Sequence, residues 1–215
     1  MISRRDLLFV AGAGATSIAG TPRPATAQPT VPTAAANASP PPAPPHADFG
    51  PILPPLPAPR LKMITHGGQA TDLRRLLDGR VCALQLMFTS CSATCPIQGA
   101  VFADAAKRLA SAGLEARAVR LLSFSIDPLG DTPQALSTWM RQHGPSPLWH
   151  AAVPVHPDGG QQMLEFLRAG RPGPDPHTGQ VHVFDRRGRW IFKSADLPSS
   201  REIAHWLTTA ARTGG

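Results

Sequence analysis

The chain has no tyrosine and only three cysteines among its 215 residues. Three cysteines cannot build the dense disulfide framework on which small secreted scaffolds rely. No run of about 18 consecutive apolar residues occurs, which excludes a polytopic membrane protein. There is no heptad array and no repeat with a period of about 20–50 residues. Lysine is also scarce, with 3 against 18 arginines. The formal net charge is +7, of which residues 1–27 carry +2 and the remainder +5. A nucleic-acid interface would show a basic stripe with aromatics interleaved. Here the arginines are scattered, apart from Arg186, Arg187 and Arg189 in a turn-like stretch. A solvated basic surface is the reading, and no nucleic-acid partner is expected.

Proline is plentiful but unevenly placed. Of 25 prolines, 14 fall in residues 1–60. Residues 1–27 begin with Ser3-Arg4-Arg5-Asp6-Leu7-Leu8, continue through a mild apolar run diluted by Gly12, Gly14 and Ser17, and end in Ala25-Thr26-Ala27. Paired arginines, a short apolar stretch and an A-x-A end read as a twin-arginine-like signal peptide, with cleavage expected after Ala27. That address implies export to a bacterial periplasm. Retention of the uncleaved segment would leave the protein tethered to the membrane. Residues 28–60 are rich in Pro and Ala, and large apolar residues are sparse before Phe49. Such a segment cannot bury enough surface to offset its ordering entropy, so it is expected to be a flexible linker. The folded domain is then expected over residues 61–215, long enough for one hydrophobic core.

Within it, strand-like and helix-like stretches alternate. Residues 81–88 form an apolar run with a single Gln, as a buried central strand does. Residues 96–110 carry Ile97, Val101, Phe102, Ala105, Ala106 and Leu109 at helical spacing, closed by Gly113. A second apolar run, 118–126, ends at Asp127-Pro128. Asp131-Thr132-Pro133 opens a helix over 133–142, with Thr132 as N-cap and Pro133 at its first position. A short strand at Val153 and Val155, a helix over 160–169, a hairpin pairing 181–185 with 190–193, and a helix over 201–211 complete the pattern. The order βαβαβαββα predicts an α/β fold, a central mixed β-sheet flanked by helices, and a thioredoxin-like arrangement fits it.

The chemistry points to Cys91 and Cys95, in Thr89-Ser90-Cys91-Ser92-Ala93-Thr94-Cys95-Pro96. This is the junction of a buried strand with a helix start, where open α/β sheets place their sites. Residues four apart in a helical turn face the same way, so the two sulfurs can converge. A helix N-terminus favours thiolate over thiol. Two such thiols either form a disulfide or bind a soft metal such as Cu(I). Cys82 lies inside the strand and reads as a small buried hydrophobe. A third ligand would separate metal binding from dithiol exchange. His177 stands in a Gly/Pro-rich loop feeding a strand, whereas His182, inside that strand, reads as packing. His66, His143, His150, His156 and His205 read as surface or turn histidines.

These residues resemble the Sco/SenC copper chaperones, thioredoxin-fold proteins that help assemble the binuclear copper site of cytochrome c oxidase. Met63-Ile64-Thr65-His66-Gly67-Gly68, with 73–80 after it, is similar to the family's opening hairpin and helix. Phe88 to Pro96 resembles its C-x-x-x-C-P motif, and Ser123 to Pro128 followed by Asp131-Thr132-Pro133 its second signature. His177-Thr178, ahead of Asp185, matches the placement of its histidine ligand. The resemblance implies a copper-binding metallochaperone with Cys91, Cys95 and His177 as metal ligands. It implies Cu(I), and also Cu(II), as the bound metal. It implies the cytochrome c oxidase subunit that carries the binuclear copper site, or another copper acceptor, as partner, with a thioredoxin-like reductant beside it. Binding needs reduced cysteines and an unprotonated His177. Asp127 is a candidate to order the site, or else simply turns the chain before Pro128. The sequence departs from the family at Ser92, where Pro is usual, at His182, where an aromatic is common, and in having a signal-like segment in place of a membrane anchor. The alternative is a thiol–disulfide oxidoreductase using the Cys91/Cys95 pair to reduce a partner's cysteines. A third reading is a redox or copper sensor that docks a partner through its surface.

Overall fold

A computed structural model describes residues 49–173 and 175–213. The expected signal peptide lies outside the described residues. Eight strands form one sheet in the order β1-β8-β7-β4-β5-β6-β2-β3. At its centre, β4 (Val81–Met87), β5 (Val119–Ser125) and β6 (Trp149–Pro154) run parallel, and the remaining pairings are antiparallel. Parallel neighbours need crossovers, which α2 (Thr94–Ser111) and α3 (Pro133–His143) supply.

Strand β4 is buried along its whole length, as its apolar run predicts. Its alternation splits the core in two. Val81, Ala83 and Met87 join α2, α3 and α5 (Ser200–Arg212) on one face. Cys82, Leu84 and Leu86 join α1 (Leu73–Leu77) and α4 (Gly159–Leu167) on the other. Gln85 is the polar exception. Its amide donates to Ser123 Oγ at 2.8 Å, directly across the β4–β5 register, and Trp149 Nε1 donates to the same oxygen at 2.9 Å. On the opposite face α4 packs so closely that a Cβ on Gly160 would stand 2.2 Å from the Ile126 carbonyl oxygen.

The hairpin of β2 (Lys62–Thr65) and β3 (Ala70–Asp72), followed by α1, takes the expected place. Thr132 caps α3 by accepting from the Ala135 amide, with Pro133 in the first turn. Strand β6 is longer than expected and ends before Val155, which is half exposed. The hairpin of β7 (Gln180–Phe184) and β8 (Arg189–Asp196) turns at Gly188, at φ +67.

The boundary at residue 60 needs correction. Gly50–Pro57, inside the expected linker, is strand β1, paired antiparallel to β8 at the sheet edge. Proline cannot donate to a ladder, so a strand with four prolines is tolerated only at an edge or a bulge. Both apply here, because the register shifts between Pro51 and Leu56. Ile52 and Leu56 pack on the α1/α4 core and give this segment the burial that its composition hides.

Candidate functional site

The chain leaves β4 at Met87 and turns through Phe88–Ser90 into α2. Cys91 N–H donates to the Phe88 carbonyl at 3.2 Å. The N-cap of α2 is Ala93, which has no side chain able to cap. The Cys91 sulfur takes that role, accepting from Cys95 N–H at 3.4 Å. Burial opposes ionisation of Cys91. The Cys95 thiol and the backbone amides of Ala93, Thr94 and Cys95 outweigh it, and the pKa falls below the ordinary thiol value. Cys95 is fully buried, and burial together with its neighbour Cys91 pushes its thiol well above the ordinary value. The two sulfurs are therefore inequivalent, one near the surface and easily ionised, the other inside and held as thiol.

His177 reaches the same place because β7 runs antiparallel to β4, with Gln85 opposite Val181. The residues that precede β7 thus lie beside the end of β4. His177 is fully buried, and its Nε2 lies 3.7 Å from Cys95 Sγ. Its Nδ1 is 2.9 Å from the Thr178 carbonyl oxygen, which can only accept, so Nδ1 carries the proton and Nε2 keeps its lone pair. The Phe88 ring stands edge-on to the imidazole, 6.1 Å between centroids. Burial lowers the His177 pKa, while the Thr178 carbonyl and Asp175 pull the other way. The neutral ring is the form a metal requires.

Two acidic residues that sequence reasoning did not place at the site hold it together. Asp131 accepts from Thr89 N–H at 3.0 Å, from the Thr89 hydroxyl and from the Ser125 hydroxyl at 2.6 Å. It thereby ties the loop leading to Cys91 to the end of β5. Asp175 accepts from the Thr94 hydroxyl and from Arg171 Nη2 at 2.7 Å, both on Oδ2. Its Oδ1 is buried without a hydrogen bond, 3.4 Å from His177 Nε2. The soft donors Cys91 and Cys95, the neutral imidazole and this orphaned oxygen suit copper by their chemistry. They stand in a chain of neighbours, Cys91 to Cys95 to His177 to Asp175. Among the described residues, no three such groups are gathered closely enough to count as a formed metal centre.

The remaining candidates lie elsewhere. Asp127 accepts from Gly130 N–H at 2.9 Å and turns the chain at the end of β5. Cys82 is fully buried, and burial pushes its thiol up to about 12, which leaves it inert. His182 is buried against Trp190, ring centroids 5.4 Å apart, with neither ring nitrogen hydrogen-bonded. His143 and His150, expected as surface or turn histidines, are half-buried, His143 at the end of α3 and His150 within β6. His143 is half-buried on Trp139, and burial drives the pKa of half-buried His150 down to about 4. Ser92 is exposed in the turn before α2.

The SCO1/SenC family model matches residues 58–148, which span the β2–β3 hairpin, the cysteine motif and Asp131-Thr132-Pro133. This segment belongs to the SCO1/SenC family. No curated protein matches the chain. Among solved structures, a SCO1/SenC family lipoprotein from Bacillus anthracis is 19% identical, with a TM-score of 0.62, over 74% of this chain and 99% of that one. BsSco, described as a member of the Sco family of cytochrome c oxidase assembly proteins with a disulfide switch, is 20% identical, with a TM-score of 0.61, over 74% of this chain and 95% of that one. Yeast Sco1 with copper bound is 15% identical, with a TM-score of 0.61, over 74% and 90%. At these identities the likeness establishes the fold, which is thioredoxin-like with a central mixed sheet between helices. No helix among the described residues is long and apolar enough to cross a membrane.

Proposed function

We propose that this SCO1/SenC protein is a copper metallochaperone of the cell envelope, holding copper through Cys91, Cys95 and His177 for delivery to the copper site of a cytochrome c oxidase. The observation that carries the reading is the meeting of Cys95 Sγ with a buried His177 Nε2 that bears no proton and faces the sulfur at 3.7 Å. Simple dithiol exchange has no need of that ring. Two features of Cys91 support delivery rather than storage. Cys91 sits at the edge of the site, 9% exposed, and ionises more readily than an ordinary thiol. A donor so placed can hand its metal to an acceptor thiol by ligand exchange. The copper-bound yeast relative and the assembly role in the BsSco description favour the same cargo and destination. The twin-arginine-like segment supports a periplasmic site of action, and the Pro/Ala-rich stretch that follows it would act as a tether or spacer.

Copper is cargo here. When it arrives, Cys91 and Cys95 would supply two sulfurs and His177 one nitrogen, and the three donors would have to draw together around it. Cys95 must give up its proton on binding, so loading releases protons and weakens as pH falls. The test is a Cu(I) competition titration of the reduced full chain beside Cys91→Ser, Cys95→Ser and His177→Ala. Tight one-to-one binding that every substitution weakens is expected. Weak binding by the unsubstituted chain overturns the reading.

One observation favours the thiol–disulfide oxidoreductase as the second reading. A reactive outer thiol paired with a buried, protonated inner thiol is the arrangement of an attacking and a resolving cysteine. Turnover on a disulfide substrate that survives His177→Ala would put that reading first.

A further inference from the structure

We propose that Asp175 supplies an oxygen donor to the same metal and raises the site's affinity for Cu(II) above what the two thiols and the imidazole would give alone. The inference rests on the copper reading of Cys91, Cys95 and His177.

One buried oxygen of Asp175 has no hydrogen-bond partner. Asp175 divides its carboxylate between two tasks. Oδ2 is fixed by the Thr94 hydroxyl and by Arg171, whose Nε also donates to the Asp175 carbonyl at 3.0 Å. Oδ1 receives no hydrogen bond, although it is buried. It faces His177 Nε2 at 3.4 Å. Since Nδ1 carries the imidazole proton, Nε2 and Oδ1 confront one another as acceptors; the Cys95 thiol reaches Nε2 at 3.7 Å, and nothing reaches Oδ1. Buried acceptors normally find a partner, and an unpartnered carboxylate oxygen is costly. A cation shared by Nε2 and Oδ1 satisfies both.

The anchoring fits a ligand. A carboxylate gripped by its far oxygen presents the near one in a fixed direction, and the grip itself comes from the cysteine motif, because Thr94 lies between Cys91 and Cys95. The helix start that carries the sulfurs and the loop that carries the imidazole are thereby coupled through one side chain. Charge then decides the oxidation state. Two thiolates already place Cu(I) in an anionic set, and that soft ion gains little from a hard oxygen. Cu(II) carries one more positive charge, accepts nitrogen and oxygen donors, and favours a fourth ligand. Asp175 thus strengthens Cu(II) binding and leaves Cu(I) binding almost unchanged.

The experiment measures Cu(I) and Cu(II) affinity separately on the full chain, with the Cu(II) electron paramagnetic resonance spectrum as a second readout. Asp175→Asn keeps the shape of the side chain. Asp196→Asn removes a carboxylate that stands 3.8 Å from the same Arg171, and so controls for the general field. Thr94→Val releases the anchor and keeps the oxygen. The expected result is a loss of about tenfold or more in Cu(II) affinity for Asp175→Asn, with a change in the Cu(II) spectrum and Cu(I) affinity nearly unaltered. Thr94→Val is expected to show a smaller loss of the same kind, and Asp196→Asn neither effect. Equal losses for both oxidation states, or equal effects of Asp175→Asn and Asp196→Asn, would overturn the role of Asp175 while leaving the three-donor site intact. Failure of the unsubstituted chain to bind either ion would overturn the copper reading and this inference together.

Discussion

Cys91 and Cys95 stand one helical turn apart and meet opposite fates, because one sulfur caps a helix and the other lies beneath it. A lowered pKa means that thiolate is present at lower pH than for an ordinary thiol, so Cys91 is the first to react with an alkylating agent at neutral pH. Iodoacetamide labelling of the reduced protein, read by peptide mass, should modify Cys91 and spare Cys82 and Cys95 until the chain unfolds. Labelling of Cys95 first would contradict the assignment. Asp131 belongs to the same scale. Replacing it with Ala leaves the Thr89 amide and the Ser125 hydroxyl without their acceptor. A loss of about 1–3 kcal/mol in urea unfolding is expected, and a loss under about 0.5 kcal/mol, the size of an ordinary surface substitution, would show the latch to be dispensable. The two cysteines were legible in the sequence because they are four residues apart. The roles of Asp131 and Asp175 were not, because their bonds to Thr89 and Thr94 join residues 42 and 81 positions apart; Asp131 stood in the sequence only as the residue before the α3 cap, and Asp175 stood in no motif.

The elements that read correctly are those whose local signals agree. Pro133 after Thr132 opens α3, and the apolar run 81–88 makes β4. Strand β1 was missed because its signals conflict. Gly50–Pro57 has the composition of a linker, and it becomes a strand only because β8 offers an unpaired edge and the α1/α4 core offers a place for Ile52 and Leu56. Tertiary context overrides propensity at such an edge. Strand β1 covers the ladder beside Trp190, which pairs with Leu56. Deleting residues 50–57 should therefore lower stability by about 2 kcal/mol, the worth of one or two part-buried aliphatic side chains, and leave the β8 edge free to associate. Thermal unfolding and sedimentation of the two forms check this. Equal midpoints and equal mass would return the segment to the linker.

At the scale of the whole molecule, the sheet order does what no local motif can. It carries His177 across 82 positions to Cys95 by setting β7 against β4. The same burial leaves His150 and His182 neutral in the fold. Burial, with Arg120, His66 and Arg80 nearby, lowers His150 to about 4, and burial beside Lys193 lowers His182 to about 3. The unfolded chain takes up these protons near 6.5, the ordinary imidazole value, and the folded chain does not. Stability is therefore full above that value and falls as pH drops from about 6.5 toward about 4 and below. Urea midpoints across this range should decline, and His182→Phe should flatten the decline. A flat profile for the unsubstituted protein would contradict the burial of both rings. The thiol pair and His177 are proposed to hold copper together. X-ray absorption at the copper edge of the Cu(I)-loaded full chain tests this most directly. Two sulfur neighbours and one imidazole nitrogen are predicted, the nitrogen being lost in His177→Ala. A shell of sulfur alone, or a nitrogen that persists in His177→Ala, would contradict the account.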